Sequence, residues 1–220
     1  MRSTTKSSTT LTYTLRNLVL VAVALASTAC ASWNNKQKGA VIGAAGGAAA
    51  GGVIGNQTGS TARGAIIGAV IGGTAGAVIG HQMDQQAKEL KIEIPGAIVE
   101  RVGEGIQVTF ASGLLYDFDS DAIRPEAAMN LQNLASSLKK YPNTTLLVVG
   151  HTDALGSTTY NQDLSTRRAT SASTYLTTQG VATSRLNTSG RGELESVASN
   201  ETEAGRQKNR RIEVAIFAGP

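Results

Sequence analysis

The sequence predicts an α/β domain with a mixed sheet and helices on one face, preceded by a helical hairpin built on glycines. Two observations carry this. Residues 39–80 are almost entirely Gly, Ala, Val and Ile, whereas residues 97–217 have the balanced mixture of a globular fold, so the 25 glycines of the 220-residue chain are concentrated, not spread. Within the second region, short alternating or β-branched runs are interleaved with helical patterns, which is how a layered sheet-and-helix domain reads.

The elements follow in order. Residues 98–102 and 106–110 alternate apolar with polar around Gly103-Glu104-Gly105, as a β-hairpin does. Pro125 opens a helix at a favoured first-turn position, with Met129, Leu131, Leu134 and Leu138 spaced to face the sheet, and Pro142 ends it. Residues 145–149 form a buried central strand that stops at Gly150. A second long helix spans about 160–178, with Leu164, Ala172, Tyr175 and Leu176 toward the sheet and Gly180 closing it. A turn at 190–193, a short helix over 202–210 and a last alternating strand over 211–217 complete the domain.

The glycine segment is an internal duplication. Residues 39–55 recur as 64–80, identical at 11 of 17 positions, with glycine every fourth residue in both copies. On a helix that spacing draws a shallow stripe along which a second backbone can approach closely. Interior glycine costs about 1 kcal/mol per residue relative to alanine in water, a cost that membrane burial outweighs. A membrane-associated hairpin turning through the polar residues 56–63 is therefore expected, against the alternative of a flexible Gly/Ala tether, which needs no such register. Each arm is about 25 Å long, marginal for crossing a bilayer.

Ahead of it, Arg2, Lys6 and Arg16 precede an apolar run over 18–26 and the small residues Ser27-Thr28-Ala29, directly before the single cysteine, Cys30. That order is a secretory signal with its cleavage site over residues 1–29. The segment resembles the leader of bacterial lipoproteins, whose first mature residue is a lipid-bearing cysteine, although Ser27 stands where those leaders favour Leu; an ordinary signal peptide is the alternative. Ala31 after the cysteine resembles the pattern sent to the outer membrane. The expected organisation is a leader over 1–29, a lipidated start and tether over 30–38, the glycine hairpin over 39–80, a linker over 81–96 and the domain over 97–220.

The formal charge of +4 misleads, since three of the 20 basic side chains lie in the leader, leaving 17 against 16 acidic. Near-neutrality and an aromatic content of 4% exclude a nucleic-acid surface. One cysteine excludes an internal disulfide, and no metal or cofactor signature is present. A hydrolytic pairing of His151 with Ser165 or Asp153 lacks a nucleophile elbow or oxyanion signature.

The chemistry concentrates in Gly150-His151-Thr152-Asp153, followed by Asn161-x-x-Leu164-Ser165-x-x-Arg168-Ala169. An acid and a guanidinium near one strand-to-helix junction can hold a zwitterion, the acid its ammonium and the forked donor its carboxylate. They could equally form an internal ion pair fixing a loop to a helix. Joined to Tyr116-Asp117-Phe118-Asp119-Ser120, Gly190-x-Gly192-Glu193 and Gly205-Arg206-x-x-Asn209-Arg210-Arg211, these motifs resemble the OmpA-like peptidoglycan-binding domain over residues 107–217. With the leader and glycine segment, the whole chain resembles glycine-zipper outer-membrane lipoproteins of the YiaD type. Tyr116, Ala172 and Ser196 depart from the family's usual Phe, Val and Pro.

The resemblance implies an OmpA-like α/β sandwich and a non-catalytic protein of the periplasmic face of the outer membrane. Its ligand is the diaminopimelate of the peptidoglycan stem peptide. Asp153 then meets the ammonium and Arg168 the carboxylate. Backbone amides around Phe118, Asp119 and Ser120 add donors, Thr152, Asn161 and Leu164 shape the walls, and Asn209 and Arg210 stand at the rim. Which of Arg210 and Arg211 faces the site stays open, as does an alternative in which the glycine segment self-associates as the principal membrane element and the domain only positions it.

Overall fold

A computed structural model describes residues 60–72 and 77–219. The leader, Cys30 and the first glycine copy lie outside the described residues. The elements are α1 (Thr61–Gly72), α2 (Ala77–Glu93), β1 (Ile98–Val102), β2 (Gly105–Ala111), α3 (Ser112–Leu115), α4 (Pro125–Lys140), β3 (Thr144–His151), α5 (Thr158–Thr178), a 3-10 turn (Thr183–Arg185), β4 (Leu186–Gly190), α6 (Glu203–Asn209) and β5 (Arg211–Ala218).

The five strands form one mixed sheet in the order β1-β2-β5-β3-β4. All neighbours are antiparallel except β3 and β4, which run parallel because α5 crosses between them. β4 was not expected as a strand. Its sequence, Leu186-Asn187-Thr188-Ser189-Gly190, has one large apolar residue, and as an edge strand it is held by backbone pairing to β3 from Leu146↔Leu186 to Gly150↔Gly190.

Strand alternation divides the sheet into two faces. Ile106, Val108, Phe110, Leu146, Val148, Ile212, Val214 and Ile216 point into one core with Leu131, Leu134 and Leu138 of α4 and Ala169, Ala172 and Leu176 of α5. Met129, expected in that layer, is 63% exposed, because it lies two residues from Leu131 and therefore on another side of the helix. The expected layer of helices on one face is present. Residues 81–96, expected as a linker, instead extend α2 to Glu93, and Met83, Ala87 and Leu90 at helical spacing join the same core together with Ile94.

The opposite face is covered as well. Ala62, Ala65, Ile66 and Ala69 of α1 pack on Val149, Ala215 and Phe217, so part of the second glycine copy is a layer of this domain. Among the described residues no helix is long and apolar enough to cross a membrane.

The ends of β3 and β4 meet α5 at unusually short range. A Cβ on Gly150 would lie 2.1 Å from the Ser165 carbonyl oxygen, and one on Gly190 would lie 2.1 Å from Thr166 Oγ1. Only glycine permits that approach, and it draws the first turns of α5 against the segment that follows β3.

Candidate functional site

That approach creates a pocket of about 550 Å3 at the end of β3. Eight of the ten expected binding residues line it: Phe118, Asp119, Thr152, Asp153, Asn161, Leu164, Arg168 and Arg210. Tyr116, Tyr160 and Glu203 line it too, and sequence reasoning had not assigned them to it. Ser120 contributes a carbonyl that receives Arg168 rather than a lining group. Asn209 is fully buried and serves the loop before α6: its Oδ1 accepts the Val197 and Ala198 N–H groups, and its Nδ2 donates to the Ala198 carbonyl at 2.8 Å.

Arg168 is held by the backbone. Its Nε donates to the Ser120 carbonyl at 2.8 Å and one terminal nitrogen to the Asp117 carbonyl at 3.3 Å. The guanidinium lies 5.3 Å from the Tyr116 ring centre, and the Tyr116 hydroxyl donates to the Arg168 carbonyl at 2.6 Å. Burial pulls the Arg168 pKa down, and nearby Tyr116, Tyr160, Asp119 and Asp121 oppose that shift. Among the described residues Arg168 forms no ion pair, and a guanidinium with five N–H donors retains three after these two bonds.

Asp153, 6% exposed, is not paired with Arg168. Its Oδ1 accepts the Leu155 N–H at 3.1 Å and its Oδ2 lies 2.5 Å from Arg210. A carboxylate offers about four acceptor directions, so Asp153 keeps room for a second cation. Arg210 also reaches Glu203 at 2.6 Å, and the hydrogen bonds from Arg210 and Arg206 hold the Glu203 carboxyl below its ordinary range.

The rim is set by Asp119, the one described non-glycine residue in the left-handed region, at φ 54°. Aspartate tolerates that backbone better than most residues. Its carboxylate accepts the Tyr160 hydroxyl, which raises the Tyr160 pKa. Phe118 beside it is fully exposed, placing a bare aromatic ring at the mouth. Asn161 donates to Glu193, fixing α5 to the turn after β4.

His151, Arg211 and Glu213 lie away from the pocket, on the α1 side of the sheet. Arg211 Nε donates to Glu213 at 2.7 Å with both groups buried. His151 is 1% exposed, and burial, with Arg211 and Arg191 nearby, holds its pKa well below the ordinary value. Ser165 is engaged elsewhere, donating to the Gln162 carbonyl and accepting the Gly192 N–H. The two arginines thus divide by alternation, Arg210 to the pocket and Arg211 to the other face.

A mixed-sheet domain with a half-buried, oppositely charged pocket beside a strand end is the class of protein these features define. Residues 115–210 match the OmpA family and residues 12–84 the YMGG-like Gly-zipper family. The chain is 33% identical to the peptidoglycan-associated lipoprotein of Agrobacterium fabrum, over 62% of this chain and 77% of that protein. It is 38% identical to the probable lipoprotein YiaD of Escherichia coli over 61% of this chain and 62% of the relative. Among solved structures, the cell wall anchor of the T6SS from Pseudomonas aeruginosa is similar at 31% identity and a TM-score of 0.52, covering 62% of this chain and 96% of that one. The chain belongs to the OmpA family. It spans 32% to 62% of the length of several curated relatives, porin F of Pseudomonas fluorescens, outer membrane protein A of Bordetella avium and YiaD among them.

Proposed function

We propose that this protein is a non-catalytic tether between the outer membrane and the cell wall. Cys30 carries the lipid anchor, and the pocket holds the diaminopimelate of the peptidoglycan stem peptide. The reading rests on one observation above others. Asp153 and Arg168 line the same pocket without neutralising each other, so an acid and a forked donor remain open to one ligand.

The free end of diaminopimelate bears an ammonium and a carboxylate on one carbon. The ammonium joins Arg210 on Asp153, and the carboxylate takes the spare N–H donors of Arg168. A simple amine lacking that carboxylate leaves Arg168 desolvated and unpaired, which is how the site discriminates. Names of the relatives support the partner and the compartment: a peptidoglycan-associated lipoprotein and an outer-membrane lipoprotein, YfiB of Pseudomonas aeruginosa, are both among them.

The test is retention on purified sacculi. Asp153→Ala and Arg168→Ala are each expected to weaken binding by roughly 2 to 5 kcal/mol while leaving the far-UV spectrum and melting behaviour near wild type. Full retention by both folded variants rejects the ligand assignment.

A further inference from the structure

The N-terminus of α1 enters a socket of buried charge on the far side of the sheet. The Thr61 N–H donates to Glu195 Oε2 at 3.0 Å, and the Thr61 hydroxyl donates to the other oxygen of Glu195. The Ser60 hydroxyl donates to Glu213 at 3.2 Å, and Arg191 Nε donates to Thr61 Oγ1 at 2.8 Å. Glu195, 134 residues away in sequence, thus caps this helix, where a carboxylate is favoured by both the free N–H groups and the helix dipole.

Beyond the cap, Ile66 occupies space that Gly105 leaves open: a Cβ there would lie 2.5 Å from Ile66 Cγ2. Arg63 reaches Glu100 at 2.7 Å and Gln107 at 2.9 Å. The first glycine copy carries Asn35, Lys36 and Gln37 where the second has Ser60, Thr61 and Ala62, so the hydroxyl pair that fits the socket belongs to the second copy alone.

His151 lies between the two acids, its ring nitrogens 3.9 Å from Glu195 and 3.8 Å from Glu213, too far for hydrogen bonds. Among the described residues neither nitrogen has a hydrogen-bond partner, although the side chain is almost wholly buried. A network closed on α1 and left incomplete inside is poised to rearrange when α1 leaves.

Three chain segments each supply at least one residue to this socket and a near neighbour to the ligand pocket. The end of β3 sends His151 to the socket and Asp153 to the pocket. The start of β5 sends Arg211 to Glu213, while Arg210 before it holds Asp153. The turn after β4 sends Glu195 to Thr61, while Glu193 accepts Asn161 on the pocket wall. Backbone bonds lock these segments together, Thr152 N–H to the Gly192 carbonyl at 2.8 Å and Arg191 N–H to the Gly150 carbonyl at 2.9 Å.

We propose that the socket is a receptor for helix α1 and that its occupation raises the affinity of the ligand pocket, so that tension from the anchor side and wall binding are coupled. The inference rests on the ligand reading above. With α1 docked, Glu195 and Glu213 are satisfied and the three segments are held in register. With α1 pulled away, both acids seek water and the turn carrying Glu193 loosens. Linkage makes the effect reciprocal, since a ligand that binds the docked state better also strengthens docking.

The experiment uses the full chain in detergent, with a soluble stem tripeptide ending in diaminopimelate as probe. Peptide affinity is read by calorimetry and docking by hydrogen exchange over residues 61–69. Ile66→Asp is expected to speed exchange there and to weaken peptide binding roughly five- to tenfold, the scale of ordinary allosteric coupling. Thr61→Val, which keeps the apolar contacts, is expected to shift both readouts in the same direction by less. In the wild type, saturating peptide is expected to slow exchange over 61–69. Faster exchange with affinity unchanged within twofold overturns the coupling, as does wild-type exchange indifferent to peptide. A wild type that binds no peptide removes the ligand reading and this inference with it, an outcome distinct from a wild type that binds while its variants are unaffected.

Discussion

The pocket beside Asp153 and the socket beneath α1 draw on the same strand ends and nearly the same side-chain types, yet their groups are left in opposite states. In the pocket, Asp153 and Arg168 are anchored by backbone partners and neighbouring side chains and each keeps unused bonding capacity. In the socket, Glu195 and Glu213 receive Thr61, Ser60, Arg191 and Arg211, and His151 stands 3.9 and 3.8 Å from them, beyond hydrogen-bond reach. Spare capacity on a rigid, buried group that lines an open pocket marks a place for a ligand. A network closed on the chain's own helix marks a place where the chain is its own ligand.

The largest expected effect separates the two arginines that sequence alone could not divide. Arg211→Ala leaves Glu213 buried with only the Ser60 hydroxyl, and removing one partner of a buried pair costs roughly 3 to 5 kcal/mol. Urea unfolding should show that loss, and the double change Arg211→Met with Glu213→Leu should recover most of it, because two apolar groups leave no uncompensated charge. If the single variant unfolds at the wild-type midpoint, the socket is not the closed network described here.

Much of this arrangement was legible beforehand, for identifiable reasons. β1, β2 and β5 announce themselves by alternation, α4 by its proline and leucine spacing, and the pocket by motifs that carry Asp153 and Arg168. β4 was not legible because a polar edge strand has no hydrophobic period to read. The role of Tyr160 depends on its reach to Asp119, 41 residues away, which no local pattern encodes. The position of α1 was hidden for another reason: glycine every fourth residue predicts a helix that accepts another backbone, but Ala62, Ala65, Ile66 and Ala69 form a second stripe on the same helix, and that stripe meets the sheet. A further sign was available in Ser60-Thr61, a hydroxyl pair at the start of the second copy of the kind that opens helices.

Acid should act on the socket next. His151 is held neutral in the fold, whereas in the unfolded chain it titrates near its ordinary value of 6.5. Below pH 6.5 the unfolded state therefore binds a proton that the folded state does not, so stability falls as pH drops, until the depressed folded-state pKa is reached. One such group contributes at most about 1.4 kcal/mol for each pH unit in that window. Denaturant midpoints compared between pH 7.5 and 5.5 should show a smaller acid loss in His151→Gln than in the wild type. Equal losses in both would assign the acid sensitivity to other groups.

The smallest change in stability belongs to Arg210, on the pocket side. Its partners differ in setting: Asp153 has a side chain 9% exposed and Glu203 one that is 64% exposed. The exposed Glu203 pair contributes about 0 to 1 kcal/mol, and the Arg210 side chain is itself 31% exposed, so water reaches Asp153 once it is gone. Arg210→Ala should therefore lower the unfolding midpoint by clearly less than Arg211→Ala one residue later, where both partners are buried. Its loss should instead appear in ligand binding, because Asp153 then rests on the Leu155 N–H alone and is free to turn. Peptide affinity is expected to fall by less than tenfold, less than for Asp153→Ala, with Arg210→Lys recovering part of it. Glu203 sharpens the point through pH. Its carboxyl is held below the ordinary range, so its link to Arg210 is complete above the unfolded value of 4.5 and is lost only as pH falls through the lower folded-state value. Acidification from pH 7.5 to 5.5 should accordingly erode stability through His151 while leaving the Arg210 link, and the peptide affinity that depends on it, intact. A peptide affinity that instead tracked His151 over this range would show that His151 takes up its proton in the folded socket, contrary to its lowered pKa.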